Sequence, residues 1–320
     1  MLSIMWEKGL RGKVWRILYK LNQNLKASIK TRHGKTKKIA MSIGGRQGSR
    51  LTGRMFGKLM DTLAEEIEEK GDGFKLTIEF VIGVLLWVDD VVSCVEGEDK
   101  QKDILKTIDN FAKNHKLKWG KDKCRVMKIG KHHTSQTEWD LGDLKIANTD
   151  TYTYLGDVIT CDGKNTKNIE ARKAKLKAAT IHINTIAESE VLKKVETSVL
   201  LELHEKVNIA KLLTNSESWD LLIGEKKEID TAEIQALKSL FDLPIKTPNA
   251  AILYTFGTLS TSLRIDKKQL FYLHKLVTRN VAHWTLKILK TQAELNIGWF
   301  KNIKGSLEKY QLPNDLEQIK

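Results

Sequence analysis

Hydrophobic positions follow two different patterns along this 320-residue chain. Up to about residue 170, stretches with apolar residues at every third or fourth position alternate with short apolar runs, and these predict helices and strands respectively. The predicted elements are helices near 10–22, 52–70 and 99–116, a hairpin at 78–96, and strands near 124–130 and 152–160. Helices and strands in this order are typical of an α/β or α+β domain.

Beyond residue 170 the strand signals stop. Apolar residues with the spacing of a helix stripe follow at Leu192, Val195, Val199, Leu203, Val207 and Ala210. The segments 230–242 and 266–290 repeat this pattern, and Pro244 and Pro248 predict a break between helices. We therefore expect an α+β domain over residues 1–165 and an all-helical region over residues 166–320.

Two pairs of polar residues three positions apart predict helix starts in the second region. Asp230 with Glu233, and Asp266 with Gln269, have the spacing of a capping box, with Asp in place of the usual Ser or Thr. We expect each Asp to lie at the first position of a helix.

Two adjacent aspartates, Asp89 and Asp90, interrupt the most apolar part of the chain. The run from Phe80 to Val88 precedes them and Val91 to Val95 follows, so the pair is predicted to lie at the tip of a tight hairpin. We expect the first run to be a central strand buried on both faces. Adjacent carboxylates repel each other and suit Mg²⁺, which takes one or two protein carboxylates and substrate phosphates. A plain turn is the alternative, since Asp is common in turns.

The net charge of +14 is confined to the start of the chain. Residues 1–60 contain 15 Lys or Arg and a single acid, Glu7, whereas the remaining residues contain 39 basic and 39 acidic side chains. Such asymmetry indicates a polyanionic partner, and we expect nucleic acid, because no apolar run approaches the roughly 20 residues of a membrane span. The basic residues expected to bind it are Lys30, Arg32, Lys35, Lys37 and Lys38.

The cysteines and histidines show no metal-binding pattern. Cys94, Cys124 and Cys161 have no paired spacing, and the adjacent His132 and His133 have no further ligand at a suitable distance along the chain. We expect reduced thiols and a nuclear or cytoplasmic protein, without a signal peptide.

A glycine-rich segment, Ile43 to Thr52 (IGGRQGSRLT), lies between the basic region and the aspartate pair. Glycines allow the backbone to approach a ligand closely. Arg46 offers a planar fork for phosphate and Gln47 an amide for a sugar or base. A glycine turn before a helix starting near Leu51 is the alternative.

Four segments in order resemble the motifs of reverse transcriptases of the non-long-terminal-repeat retrotransposon kind. Ile43 to Thr52 resembles the Gly-x-Arg-Gln-Gly-x-x-Leu-Ser motif, and Trp87 to Asp90 resembles the aromatic-x-Asp-Asp box. Leu117 to Met127 is similar to the following lysine segment, and Tyr154 to Gly156 to the block after it. Weaker similarity to the helical tail of these elements continues at Glu217 to Trp219 and Asp242 to Pro248.

The resemblance implies a partial reverse-transcriptase palm followed by an all-helical thumb and C-terminal region. It also implies an RNA template, a DNA primer and deoxynucleoside triphosphates as partners, with Mg²⁺, or Mn²⁺, held by Asp89 and Asp90. Lys123 would protonate the leaving pyrophosphate. The remaining implied contacts to nucleotide, template and primer are Gly45, Arg46, Gln47, Gly48, Tyr154, Leu155 and Gly156. Surface exposure of Lys123 and strand packing of Tyr154 are the alternatives.

One feature of the family pattern is missing. In the family the first metal-binding Asp lies on a strand that precedes the glycine motif, and Glu7 is the only carboxylate before Asp61. The resemblance assigns Glu7 to the helix after that strand. We therefore expect an incomplete metal site in an N-terminally truncated copy with impaired or no catalysis. A non-catalytic RNA- or DNA-binding remnant is the alternative.

Overall fold

The computed structural model divides into two compact units. The structure describes residues 1–41, 44–46, 48–77, 80–130, 138–188, 195–279 and 283–319. The first unit comprises Met1–Cys124 and Glu138–Ala147, and the second comprises Arg125–Thr137 and Asn148–Lys320. The predicted boundary at residue 165 differs from this division, because the segment from Asn148 onward makes its contacts with the helices that follow it.

The first unit combines helices with antiparallel strand pairs. Its helices are α1 (Leu2–Glu7), α2 (Gly12–Asn22), α3 (Arg50–Glu69) and α4 (Glu98–His115). Its strands are β1 (Lys26–Ala27), β2 (Lys30–Thr31), β3 (Gly34–Lys35), β4 (Ile39–Ala40), β5 (Phe74–Lys75), β6 (Val81–Ile82), β7 (Val84–Trp87), β8 (Asp90–Ser93), β9 (Glu138–Leu141) and β10 (Leu144–Ala147). They pair as β1 with β4, β2 with β3, β5 with β6, β7 with β8, and β9 with β10.

Helices α3 and α4 supply most of the core of the first unit, and both lie where the sequence predicts helices. α3 buries Met55, Leu59, Leu63 and Ile67, which share one helix face. α4 begins with Glu98 and Asp99 and ends with Lys113 and His115, an order that suits the helix dipole. α3 packs against α1, β7 and α4, so it supports the β7–β8 hairpin from one side.

The prediction of a central strand from Phe80 to Val88 is wrong. Gly83 separates β6 from β7, and the two strands pair with different partners. Trp87 is 62% exposed and Val81 is exposed as well. Among the described residues each of these strands has a single pairing partner, so the run lacks the neighbours that would bury its second face.

The structure also changes the predicted strands after α4. No strand is found over residues 124–130, where Val126 forms only an isolated bridge to Asn148. The β9–β10 hairpin was missed, although Trp139, Leu141 and Ile146 alternate with polar residues and are buried. The strand predicted near 152–160 is a hairpin of two strands.

The second unit consists of one hairpin followed by helices. Its elements are β11 (Thr151–Tyr154), β12 (Asp157–Thr160), α5 (Thr166–Ala187), α6 (Thr197–Leu203), α7 (Ala210–Leu212), α8 (Ile223–Leu240), α9 (Asn249–Phe256), α10 (Thr261–Val277), α11 (Trp284–Leu295) and α12 (Gly298–Lys309). In the described residues after α5 begins, no strand occurs, which agrees with the predicted helical region. The break predicted at Pro244 and Pro248 is confirmed between α8 and α9.

Two clusters form most of the core of the second unit. In the first, Ile169 and Leu176 of α5 pack with Trp219 and with Ile229 of α8. The second joins Leu273 of α10 to residues of α11 and α12. The helices thus bury one face each, as amphipathic helices do.

Both predicted capping boxes are wrong, because each Asp lies inside a helix. α8 begins at Ile223, where the Leu222 amide donates to Glu225. Asp230 instead accepts a hydrogen bond from the Ser262 amide at 2.7 Å and therefore caps the first turn of α10. Asp266 lies within α10 and binds side chains of α8 and α12. The spacing of residues along the sequence does not show whether an Asp caps its own helix or a neighbouring helix.

The helix predicted around Val199, Leu203 and Val207 is confirmed, but the apolar stripe is not its buried face, because Val199 is exposed and Leu203 and Val207 are half-buried. A π-helical turn, His204–Ile209, follows α6, and its buried side chains include His204 and Asn208. A π turn contains an extra residue, so it rotates the chain beyond it and brings a different face into the core. Leu192 lies outside the described residues, as do His132 and His133.

Candidate polymerase site

Asp89 and Asp90 lie at the tip of a tight hairpin, as predicted. Trp87 of β7 pairs with Asp90 of β8, so Val88 and Asp89 form a two-residue turn. Val88 has a φ of +56°, a conformation that β-branched residues rarely adopt. A strained residue of this kind persists only where the surrounding structure enforces it.

Both carboxylates of the turn are exposed. Hard oxygen ligands on adjacent residues fit one Mg²⁺, which fills its other positions with water and phosphate oxygens. In the described part of the chain, no group of three His, Cys, Asp or Glu side chains could hold a metal. Asp89 and Asp90 are therefore two candidate ligands for one divalent cation, and a two-metal centre would need further ligands.

The glycine segment packs closely on the first turn of α3. A Cβ atom at Gly45 would lie 2.4 Å from the Thr52 methyl carbon, so a larger residue cannot be accommodated without movement. Gly48 has a φ of +81°, which also favours glycine. Arg46 is exposed and so accessible to a ligand, whereas Gln47 lies outside the described residues.

Lys123 also lies in the first unit, at the end of a short 3-10 helix, Lys121–Lys123. Its side chain is exposed, and it shares this unit with the aspartate turn and the glycine segment. Lys123, the aspartate turn and the described residues of the glycine segment therefore belong to one compact unit, whereas Arg125 to Met127 of the third motif belong to the second unit.

The predicted basic residues lie on a β-hairpin between α2 and the glycine segment. β1 pairs with β4, β2 pairs with β3, and Lys30 lies directly opposite Lys35. Every residue from 26 to 40 is exposed, and none is acidic. We name residues 26–40 the basic hairpin. Like charges facing each other across strands are unfavourable, and an anionic partner would relieve this repulsion.

The fourth motif lies in the second unit, at the turn of the β11–β12 hairpin. Tyr154 pairs with Asp157, and Leu155 and Gly156 form the turn with φ values of +47° and +94°. Two successive positive φ values are typical of a type I′ turn. This turn presents Leu155 to solvent.

A hydrogen-bond network fixes the turn to the helices of the second unit. Arg172 of α5 donates to Asp157 Oδ1 at 2.6 Å and to the Gly156 carbonyl at 3.0 Å. Asn215 donates to Asp157 Oδ2 at 2.9 Å and to the Leu155 carbonyl at 3.0 Å. The Trp219 indole donates to Asp157 Oδ1 at 3.1 Å. Asp157 thus holds the turn in place through three side chains that are distant in sequence.

None of the four sequence motifs includes this network, although the sequence contains one signal of it. Arg172 interrupts the apolar stripe formed by Ile169, Leu176 and Ile183 on α5, and it is only 3% exposed. A charged residue within such a stripe indicates a buried partner, because an unpaired buried charge is costly.

The sequence of the first half of the chain matches a known family. Residues 3–159 match the reverse transcriptase (RNA-dependent DNA polymerase) model. The matched range contains the glycine segment, the aspartate turn, Lys123 and the Tyr154–Gly156 turn. It supports reverse transcriptase function, and a reverse transcriptase domain implies binding of a nucleic-acid template and primer. No curated protein matches the chain. Among the described helices, none has both the length and the apolar character needed to cross a membrane.

Proposed function

We propose that this chain is the reverse-transcriptase region of a non-long-terminal-repeat retrotransposon, which copies an RNA template from a DNA primer. The observation that carries the proposal is the Asp89–Asp90 turn within a segment that matches reverse transcriptases. We assign the matched region to the palm, and α5 and the helices after it to the thumb and C-terminal region. The three cysteines, which have no paired spacing in the sequence, suit a nuclear or cytoplasmic location.

In the proposed reaction, Asp89 and Asp90 would hold Mg²⁺, or Mn²⁺, which when bound would neutralise charge at the triphosphate and activate the primer hydroxyl. Lys123 donates a proton to the leaving pyrophosphate. Arg46, supported by the close packing of Gly45 on Thr52, binds the incoming nucleotide or the template together with Gln47 and Gly48. The Tyr154–Gly156 turn contacts the primer.

We further propose that residues 1–320 alone carry out this reaction poorly or not at all. Two-metal nucleotidyl transfer requires two cations about 4 Å apart, and a third carboxylate normally bridges them. Within the described residues, Asp89 and Asp90 belong to no group of three possible ligands. The basic hairpin favours retained binding of nucleic acid, so a non-catalytic RNA- or DNA-binding remnant is the second candidate function.

Primer extension separates these two candidates. We expect residues 1–320 to give no templated DNA synthesis above background with Mg²⁺ or Mn²⁺, while still binding a template–primer. Fusing a family-type segment that carries an Asp-bearing strand should restore synthesis, and Asp89→Ala should abolish it again.

Two results would contradict the proposal. Robust extension by residues 1–320 that is lost in Asp89→Ala would show that another acid completes the metal site. A fusion that binds template–primer and carries the added Asp, yet gives no synthesis, would favour the remnant over the polymerase.

A further inference from the structure

Three aromatic side chains near the start of the chain form a continuous ladder. The Trp15 ring lies 5.0 Å from Tyr19, nearly parallel to it, and 5.0 Å from Trp6 in an edge-on arrangement. Arg11 lies over the other end, with its guanidinium carbon 4.0 Å from the centre of the Trp6 ring. We name Trp6, Trp15 and Tyr19 the aromatic ladder.

The ladder lies outside the core of the first unit. Ile4, Met5 and Leu18 are the buried residues of α1 and α2, whereas Trp6 is 44% exposed and Tyr19 is 41% exposed. Single exposed aromatic residues are common on protein surfaces. Two stacked rings with a third packed edge-on against them are a different feature, because together they form a continuous apolar surface with exposed ends.

A basic stripe follows the ladder around α2. Lys13, Arg16 and Lys20 are all exposed and are spaced three and four residues apart, so they share one face of the helix. Arg16 precedes Tyr19 by three residues and is its neighbour on the helix surface. Glu7 is the only acidic residue among the first 60, so this face of α2 lacks the mixture of positive and negative side chains that is typical of a solvated helix.

The stacking geometry identifies Tyr19 as the contact point. Trp15 stacks on one face of its ring, and Tyr19 is still 41% exposed. Trp15 is itself fixed, because its indole nitrogen donates to the Leu2 carbonyl at 3.3 Å. A planar ring fixed from behind, with cations beside it, matches the surfaces that bind unpaired bases and their phosphates.

We propose that the aromatic ladder and the basic stripe of α2 bind single-stranded nucleic acid. A base stacks on the outer face of Tyr19, and the backbone phosphates pair with Lys13, Arg16 and Lys20. Duplex nucleic acid is disfavoured, since its bases are already stacked on one another. The proposal rests on the proposed function, because that function makes nucleic acid the partner. It adds a preference for single-stranded nucleic acid and a contact at Tyr19, which lies outside the polymerase motifs.

The test compares a short single-stranded oligonucleotide with an abasic strand of the same length, using fluorescence anisotropy and the full chain. The parent should bind the base-containing strand about tenfold more tightly, the range expected for stacking of one base. Tyr19→Leu keeps an apolar side chain without a ring, and it should remove this preference while leaving affinity for the abasic strand unchanged. Tyr19→Phe should retain the preference. Repeating the titrations with DNA and RNA versions of both oligonucleotides shows whether the site prefers single-stranded DNA or single-stranded RNA.

Tyr254→Leu is the matched control, since Tyr254 is 90% exposed on α9, a helix without basic residues. It should leave the preference intact. If the parent and Tyr19→Leu prefer the base-containing strand over the abasic strand to the same degree, the inference is overturned but the proposed function is not. A parent that binds neither strand nor a template–primer overturns both. If circular dichroism shows that Tyr19→Leu is unfolded, the double variant Arg16→Gln/Lys20→Gln replaces it in the test. This double variant should bind both strands more weakly than the parent, and unchanged affinity would overturn the inference.

Discussion

At the scale of single residues, the turn beside the proposed metal ligands is strained. Val88 has a φ of +56°, which brings its branched Cβ close to its own backbone. Strain at such positions costs on the order of 1–3 kcal/mol, and it is common beside functional groups because it orients them. The position of Asp89 therefore depends on a positive φ at Val88, which valine does not favour.

Replacing Val88 with glycine should relieve this strain. We expect Val88→Gly to raise the free energy of unfolding of the first unit by about 1 kcal/mol, measured by urea denaturation, because glycine adopts positive φ freely. Val92→Gly is the control, since Val92 lies in β8 and has no such strain. It should lower stability instead. Equal losses in both variants would mean that Val88 is not strained in solution.

At the scale of elements, the β11–β12 turn depends on a buried ion pair. Arg172 and Asp157 are joined at 2.6 Å, and the guanidinium also lies 5.5 Å from the Trp219 ring centre. Removing Arg172 leaves the Asp157 carboxylate without its cation, and the neutral donors Asn215 and Trp219 do not replace that charge.

Arg172→Met should therefore destabilise the second unit by roughly 2–4 kcal/mol, measured by urea denaturation. Lys177→Met is a matched change on the same helix, and because Lys177 is exposed its effect should stay within about 0.5 kcal/mol. The same loss in both variants would exclude a special role for the Arg172 network.

At the scale of the whole molecule, the net charge is localised rather than spread. Because each neutralised phosphate releases a counterion, the basic hairpin should give steeply salt-dependent binding to RNA or DNA. Replacing Lys30, Arg32, Lys35, Lys37 and Lys38 with Gln should reduce the slope of log affinity against log salt by up to about 0.7–0.9 for each phosphate that the variant no longer neutralises.

A control variant removes the same charge from the second unit. Five of the exposed lysines in that unit, Lys175, Lys177, Lys246, Lys275 and Lys301, are each replaced by Gln. The control should change the slope much less than the basic-hairpin variant in the same salt titration. If both variants flatten the slope equally, only the net charge matters and the basic hairpin is not the binding surface.

The helical unit should also lose stability in acid through Asp266. Burial raises the pKa of this carboxyl, but hydrogen bonds from Lys226, Lys309 and Tyr310 outweigh burial and lower the pKa below 3.8. A carboxylate with a lowered pKa stabilises the fold fully above its unfolded pKa, and this contribution disappears as pH falls through the folded value. The network joins α8, α10 and α12.

Asp266→Asn should thus be less stable than the parent by about 2–3 kcal/mol at neutral pH, because it weakens charge-assisted hydrogen bonds to a side chain that is 4% exposed. The difference should shrink as pH falls below 3.8, in urea denaturation repeated across pH. Glu170→Gln, an exposed control on α5, should show little difference at any pH. A constant difference for Asp266→Asn would indicate lost packing rather than lost charge.

Features that depend on neighbouring residues could be predicted from the amino-acid sequence. The α3 and α4 helices follow from apolar spacing, and the Asp89 turn follows from two apolar runs that flank two turn-forming residues. The order of the four motifs also indicated a reverse transcriptase before any fold was known. These signals are local, so each is complete within a few residues of the chain.

Only the tertiary structure decided which partners distant residues take. Asp230 caps α10 rather than its own helix, and Arg172 binds Asp157 across 15 positions. The run from Val81 to Trp87 is apolar enough for a buried strand, yet both of its ends are exposed, because burial depends on neighbours that a local pattern does not specify. Hydrophobicity selects the element, but the face that it buries and the charges that it pairs are set by contacts between segments far apart in the chain.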